Sequence, residues 1–176
     1  MTIGGGCERF LGDDDIIVSK TDSKGRLTYV NRTFMTIADY SESELLGQPH
    51  NIIRHPDMPR AIFRLLWDRI KAGEEIFAYV KNRTKGGGFY WVLAHVTPSF
   101  DDSGAITGYH SNRRAPDRPV IAEISELYAA LCAIEREGDR KAGLESSFEA
   151  LHHKMAARGL DYDRYVFSTV NQGRAA

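Results

Sequence analysis

The chain has 176 residues, of which 42% are hydrophobic and 27% charged, and a formal net charge of −1. This balance belongs to a folded globular chain with room for one ordinary domain and an appendage; it excludes a largely disordered chain and a second full domain. The near-neutral charge speaks against a general affinity for nucleic acid or for an anionic membrane surface.

Only two cysteines occur, Cys7 and Cys132, too few for a disulfide framework or a zinc spacing. A reducing cytoplasm is the expected setting. The N-terminal stretch "MTIGGGCERFLGDDD" turns acidic where a secretory signal would be apolar. No run of residues is long and apolar enough to span a bilayer, so the expectation is a protein neither secreted nor embedded in a membrane.

Residues 1–15 read as a polar, Gly-rich leader. Residues 16–22, "IIVSKTD", and 26–31, "RLTYVN", are β-rich runs separated by the turn signal "SKG". From Arg32 the period changes, with Phe34, Ile37 and Ala38 on one helical face. Ser41 followed three residues later by Glu44 is a capping pattern that opens a second short helix, which ends at Gly47. Residues 47–59, "GQPHNIIRHPDMP", form an irregular polar connection with two histidines, an arginine, an aspartate and three prolines.

An amphipathic helix is predicted over residues 58–72, with Ile62, Leu66 and Ile70 four apart and Phe63 and Trp67 beside them. Asp57 stands at its N-cap and Gly73 at its C-cap. Residues 75–85, 89–100 and 105–114 then read as three antiparallel strands joined by "GGG" and "DDSG" turns. "APDRP" marks a boundary, and from Val120 onward three helical patterns follow, broken at Gly138 and Gly159. The predicted fold class is α+β: a five-stranded antiparallel sheet with helices on one face, followed by a C-terminal helical extension. The predicted organisation is a leader at 1–15, a sensor-sized domain at 16–115 and the extension at 116–176.

Strand alternation separates the two faces of the sheet. Ile76, Ala78, Val80 and Asn82 share a face in the third strand, as do Tyr90, Val92, Ala94 and Val96 in the fourth. Phe77, Tyr79, Trp91 and Leu93 lie on the opposite face, which needs a cover, either the C-terminal helices or a second subunit. Ala78 and Ala94 admit close helix packing, or leave room for a planar ligand. The polar connection also has two readings: prolines and an Asp57 cap that fix a tight turn, or a wall of hydrogen-bonding groups for a polar ligand.

The stretch 17–113 resembles a PAS domain. "GQPHNIIRHPDMP" together with "VKNRTKGGGFYWV" is similar specifically to the FAD-binding PAS domain of bacterial aerotaxis receptors, with "VN", "RHPDMP", "KNR" and "YWV" in the same order. The resemblance implies a PAS fold with non-covalently bound FAD, whose redox state is read as a proxy for oxygen or respiratory electron flow. It implies flavin-pocket roles for Asn31, His50, Arg54, His55, Asp57, Trp67, Asn82 and Tyr90. Arg54 is the candidate for the pyrophosphate, since a guanidinium offers several fixed donors to phosphate oxygens.

His110 follows Gly108 at the spacing where light-sensing relatives of this fold carry a glutamine near the flavin, and an apolar residue is expected in an aerotaxis receptor. It is carried as a flavin neighbour whose protonation would respond to flavin reduction, against the plainer reading of a solvated or paired strand histidine. Residues 54–72 hold no cysteine, which disfavours covalent photochemistry. Haem ligated by His50 or His55 is the rival cofactor, and a cofactor-free interaction module the rival function. No Ser/His/Asp context stands out and no metal site is expected, so the chain reads as a sensor rather than an enzyme. The expected partners are a chemoreceptor, a histidine kinase or a second copy of the chain.

Overall fold

Five short β-rich segments and the glycines between them build the sheet. The computed structural model describes residues 6–173; residues 1–5 of the leader and 174–176 of the tail lie outside them. The strands are β1 (Ile17–Asp22), β2 (Leu27–Val30), β3 (Ile76–Arg83), β4 (Phe89–Phe100) and β5 (Ile106–Arg114), in the spatial order β2-β1-β5-β4-β3. Every neighbouring pair is antiparallel. Between β2 and β3 come α1 (Arg32–Ala38), α2 (Glu42–Leu45), a 3-10 turn (His50–Ile53) and α3 (Arg60–Lys71). After β5 follow α4 (Arg118–Arg136), α5 (Arg140–Ala156) and α6 (Tyr162–Gly173). This is the PAS fold, and it agrees with the α+β architecture expected from the sequence.

The chain divides into two compact units, residues 1–55 with 69–115, and residues 56–68 with 116–176. In the first unit α1 packs on β1 and α2 on β2. Its core holds Ile17, Leu27, Phe34, Leu45, Ile53, Ile76 and Tyr90, all buried. The "KGGG" stretch is a hairpin turn: the Thr84 amide donates to Gly88 O at 2.8 Å and the Gly88 amide to Thr84 Oγ1 at 2.9 Å. Leader residues run beside that hairpin, with the Phe89 amide donating to Cys7 O at 3.3 Å and the Arg9 amide to Phe89 O at 2.7 Å. A Cβ at Gly88 would stand 2.7 Å from Cys7 O, so only glycine lets the leader pass so close.

In the second unit α4, α5 and α6 pack on one another around Ile124, Leu131, Leu151 and Val166. Asp139 caps α5, accepting from the Lys141 and Ala142 amides, and Asp161 accepts from the Arg164 amide at the start of α6. The start of α3 corrects one expectation. The helix begins at Arg60, two residues later than predicted. The Ala61 amide donates to Glu135 Oε1 at 2.9 Å, a carboxylate from α4. Gly73, at φ +84, does close α3: the Glu74 amide donates to Arg69 O at 3.0 Å and the Gly73 amide to Ile70 O at 3.3 Å.

Candidate functional site

Pairing across the sheet fixes which side chains share a face. Ala78 faces Ala94, Val80 faces Val92 and Asn82 faces Tyr90 across β3 and β4. Ala94 in turn pairs with Arg113 and Val96 with Ser111 on β5, while Ile17 and Ser19 of β1 flank Arg113 and Ser111 from the other side. Directly paired residues project to the same side, so Ser19, Ala78, Asn82, Tyr90, Ala94, Ser111 and Arg113 form one inner face. Phe34 of α1 and His50 of the 3-10 turn lie over it: the Arg113 guanidinium stands 5.2 Å from the Phe34 ring centroid, and the Phe34 and His50 rings are 6.0 Å apart.

The charge on that face is the notable feature. Arg113 is 3% exposed. Its Nη2 donates to Ser19 Oγ at 2.7 Å and lies 2.5 Å from His50 Nε2, while Nη1 has no hydrogen-bond partner among the described residues. No carboxylate pairs with it among the described residues. Burial lowers the Arg113 pKa to about 10, with the Tyr90 phenol opposing that shift. His50 is pushed down to about 3 by burial first and by the Arg113 charge second. A guanidinium only donates, so Nε2 of His50 carries the lone pair and the proton sits on Nδ1.

Three further polar atoms on this face are buried without partners: Tyr90 OH, Asn82 Nδ2 and Ser111 Oγ. Burial raises the Tyr90 pKa far above the ordinary phenol range, opposed by the Arg113 charge and by the neighbouring Asn82 amide. That amide does not complete a hydrogen bond of full geometry to the phenol. Native interiors pair nearly all their buried polar groups, so this concentration of unpaired atoms makes the face the candidate site.

The connection named in the sequence runs along the free edge of β3. Arg54 bridges Asn82 through the backbone, Arg83 Nε donates to Ile52 O at 3.0 Å, and the buried His55 ring meets Phe89 edge-on at 5.8 Å. His50, Arg54, His55, Asn82 and Tyr90 are thus brought together in one unit. Asp57 and Trp67 belong to the second unit, where Asp57 O accepts from Cys132 Sγ at 3.4 Å. Asn31 sits in the first unit with its amide committed to the backbone: Oδ1 accepts from the Phe34 and Val18 amides, and Nδ2 donates to Ile16 O at 2.8 Å. It is the N-cap of α1 and a clip between β1 and the start of that helix.

His110 is not brought to the other candidates. It pairs with Lys20 and Thr97 on the opposite face of the sheet from Asn82, Tyr90 and Arg113, because alternation turns Gly108, His110 and Asn112 outward. Its pKa is lowered by burial, then by the Lys20 and His95 charges. The spacing from Gly108 located the residue in the strand but not on the expected side. Arg113 and Ser19, which carry no motif signal in the sequence, are the residues that face inward. Extending strand alternation to "YHSNRR" with the partner strand in hand is the signal that would have found them.

Among the described residues no group of three or more His, Cys, Asp or Glu could hold a metal ion, and no helix is long and apolar enough to cross a membrane.

Comparison with known proteins fits this geometry. Residues 27–112 match the model of the PAS fold family. The aerotaxis receptor of Escherichia coli strain K12 is 44% identical over 123 residues, covering 70% of this chain and 24% of the receptor. A nitrogen fixation regulatory protein of Klebsiella pneumoniae is 26% identical over 56% of this chain and 20% of its own length. The biofilm dispersion protein BdlA of Pseudomonas aeruginosa is 25% identical over 88% of this chain and 34% of its own length. The chain thus spans between a fifth and about a third of these relatives. Among solved structures, the light state of the blue-light photoreceptor Aureochrome1 LOV superposes with a TM-score of 0.54 at 22% identity, covering 67% of this chain and 91% of that one. At that identity the likeness is one of fold. Residues 27–112 therefore constitute a PAS domain, and in sequence the chain is similar to the aerotaxis receptor.

Proposed function

We propose that the PAS domain holds FAD non-covalently and that the chain is a cytoplasmic redox sensor, reading oxygen or electron flow and signalling through its flanking helices to a chemoreceptor or histidine kinase. The observation that carries this reading is the buried Arg113 guanidinium, whose unpartnered Nη1 shares a sheet face with the unpartnered Tyr90 hydroxyl and Asn82 amide. A buried cation without a counter-ion is costly, and a planar ligand with carbonyl and ring-nitrogen acceptors relieves that cost. The paired alanines Ala78 and Ala94 keep the sheet surface low between these groups.

FAD supplies the electron exchange when bound. The chain supplies binding and electrostatics. Arg113 offers an N–H and a positive charge that favours negative charge on whatever it touches. Asn82 offers an amide N–H and Tyr90 a hydroxyl that either donates or accepts. His50, held neutral, accepts from Arg113 through Nε2 and so orients the guanidinium rather than delivering a proton.

Haem is less well supported. The Nε2 of His50 is already engaged by Arg113 and Ser19, and a porphyrin would leave the Asn82 and Tyr90 polar atoms without matched partners. Relatives named as a receptor and a regulatory protein support sensing over catalysis. The absorption spectrum of the purified chain tests the reading. Flavin bands in the blue and near-ultraviolet, with FAD released on denaturation, are expected. A Soret band, or a colourless chain that takes up no added FAD, overturns it.

A further inference from the structure

Helix α3 begins at Arg60, and its second residue finds its amide acceptor far along the chain. Pro59, which precedes Arg60, offers no side-chain oxygen, and the first turn holds no acidic residue. Helix N-termini need acceptors for their first amides. Here the acceptor comes from α4, far along the chain. Glu135 uses one carboxylate oxygen on the Ala61 amide at 2.9 Å and the other on Arg60 Nε at 2.9 Å.

Arg60 extends the junction. Its Nη2 donates to Glu135 O at 3.2 Å and its Nη1 to Arg140 O at 2.6 Å, the first residue of α5. The Glu135 side chain is 8% exposed, so this is a sheltered charge pair and not a solvated surface one. The α4 to α5 crossing is equally tight at the same point, since a Cβ on Gly143 would meet Glu135 O at 2.6 Å. One turn further on, Arg64 pairs with Glu145 at 2.6 Å and stacks over Phe148 at 4.2 Å.

Only residues 56–59, the end of the polar connection, separate Arg60 from His55, where the first unit's part of that connection ends. The covalent path from that connection to the first turn of α3 is thus four residues long, and the Ala61 amide and Arg60 guanidinium of that turn are both held by one carboxylate. We propose that Glu135 and Arg60 form a latch that transmits displacement of residues 50–55 to the α4 and α5 helices. The proposal deepens the sensing reading by naming its route of transmission, and rests on that reading for its purpose.

The test is a double-mutant cycle in the full chain, read by hydrogen exchange across residues 118–156. Arg54→Ala perturbs the polar connection; Glu135→Gln removes the charge while keeping an acceptor for Ala61, and Arg60→Met keeps the aliphatic stem without the donors. Arg54→Ala is expected to change exchange in residues 118–156 by about fivefold or more when the latch is intact, and by less than about twofold in either latch-broken background. An equal effect in intact and latch-broken chains, or none in any of them, overturns the proposal. The cycle requires no bound flavin, so a colourless chain would sink the sensor reading while this result stands or falls separately.

Discussion

Arg113 Nη2 and His50 Nε2 lie 2.5 Å apart on the buried inner face of the sheet, and the two side chains cannot both be cations. Burial and the guanidinium together hold the His50 pKa near 3, against 6.5 for an unperturbed histidine. The unfolded chain thus binds a proton at His50 that the folded chain refuses. Stability from this site is full above pH 6.5 and declines as pH falls through 6.5 toward 3, by at most about 1.4 kcal/mol per pH unit. Denaturant titrations between about pH 7 and about pH 4 measure the slope. His50→Gln should flatten it in that window; an unchanged slope would mean that His50 is not held neutral.

The Tyr90 hydroxyl has no hydrogen-bond partner among the described residues. Deleting such a group removes a desolvation cost, so Tyr90→Phe is expected to stabilise the ligand-free chain by about 1 kcal/mol. The same change should weaken FAD binding severalfold, on the order of one hydrogen bond. A destabilised ligand-free variant would show that the hydroxyl already has a partner in the fold.

Asn31 makes the opposite case. Its amide serves the Phe34 and Val18 amides and the Ile16 carbonyl, all of them backbone. Asn31→Ala should cost about 2 kcal/mol of stability through the lost cap and clip. A thermal midpoint equal to that of the parent chain, accompanied by loss of flavin, would return Asn31 to the pocket.

Gly88 lets the leader cross the hairpin, and a methyl group there would stand 2.7 Å from Cys7 O. Gly88→Ala should release the pairing of Cys7 and Arg9 with Phe89 while sparing the sheet. Faster exchange of the Arg9 amide with unchanged β5 amides is the expected outcome. Slower or equal exchange at Arg9 would contradict the crowding argument.

How much of this was readable in the sequence depended on local contrast. The face shared by Ala78, Asn82, Tyr90 and Ala94 was legible because β3 and β4 alternate around a glycine turn that pairs them in a defined register. Strand β5 offers no such contrast: Tyr109, Ser111 and Arg113 on one side and His110, Asn112 and Arg114 on the other are all polar or amphipathic. The inward turn of Arg113 and the outward turn of His110 follow from the register of β5 with its two neighbours, β4 and β1, the latter more than eighty residues away in sequence. The start of α3 is hard to place from sequence for a related reason, since the acceptor for its Ala61 amide is Glu135, seventy-four residues away. Likewise, "APDRP" marks the chain break before α4, yet residues 56–68 group with the helices beyond it. Within that unit Arg60 and Arg64 reach Glu135 and Glu145.

The central claim is that Arg113, left without a counter-ion on the inner face, awaits a flavin. Titration of FAD into the flavin-stripped chain, with Arg113→Met measured beside it, tests this most directly. The account predicts saturable one-to-one binding by the parent chain and an affinity at least about tenfold weaker in the variant, the scale of one charge-assisted hydrogen bond. No binding by the parent chain, or equal binding by both, would contradict it.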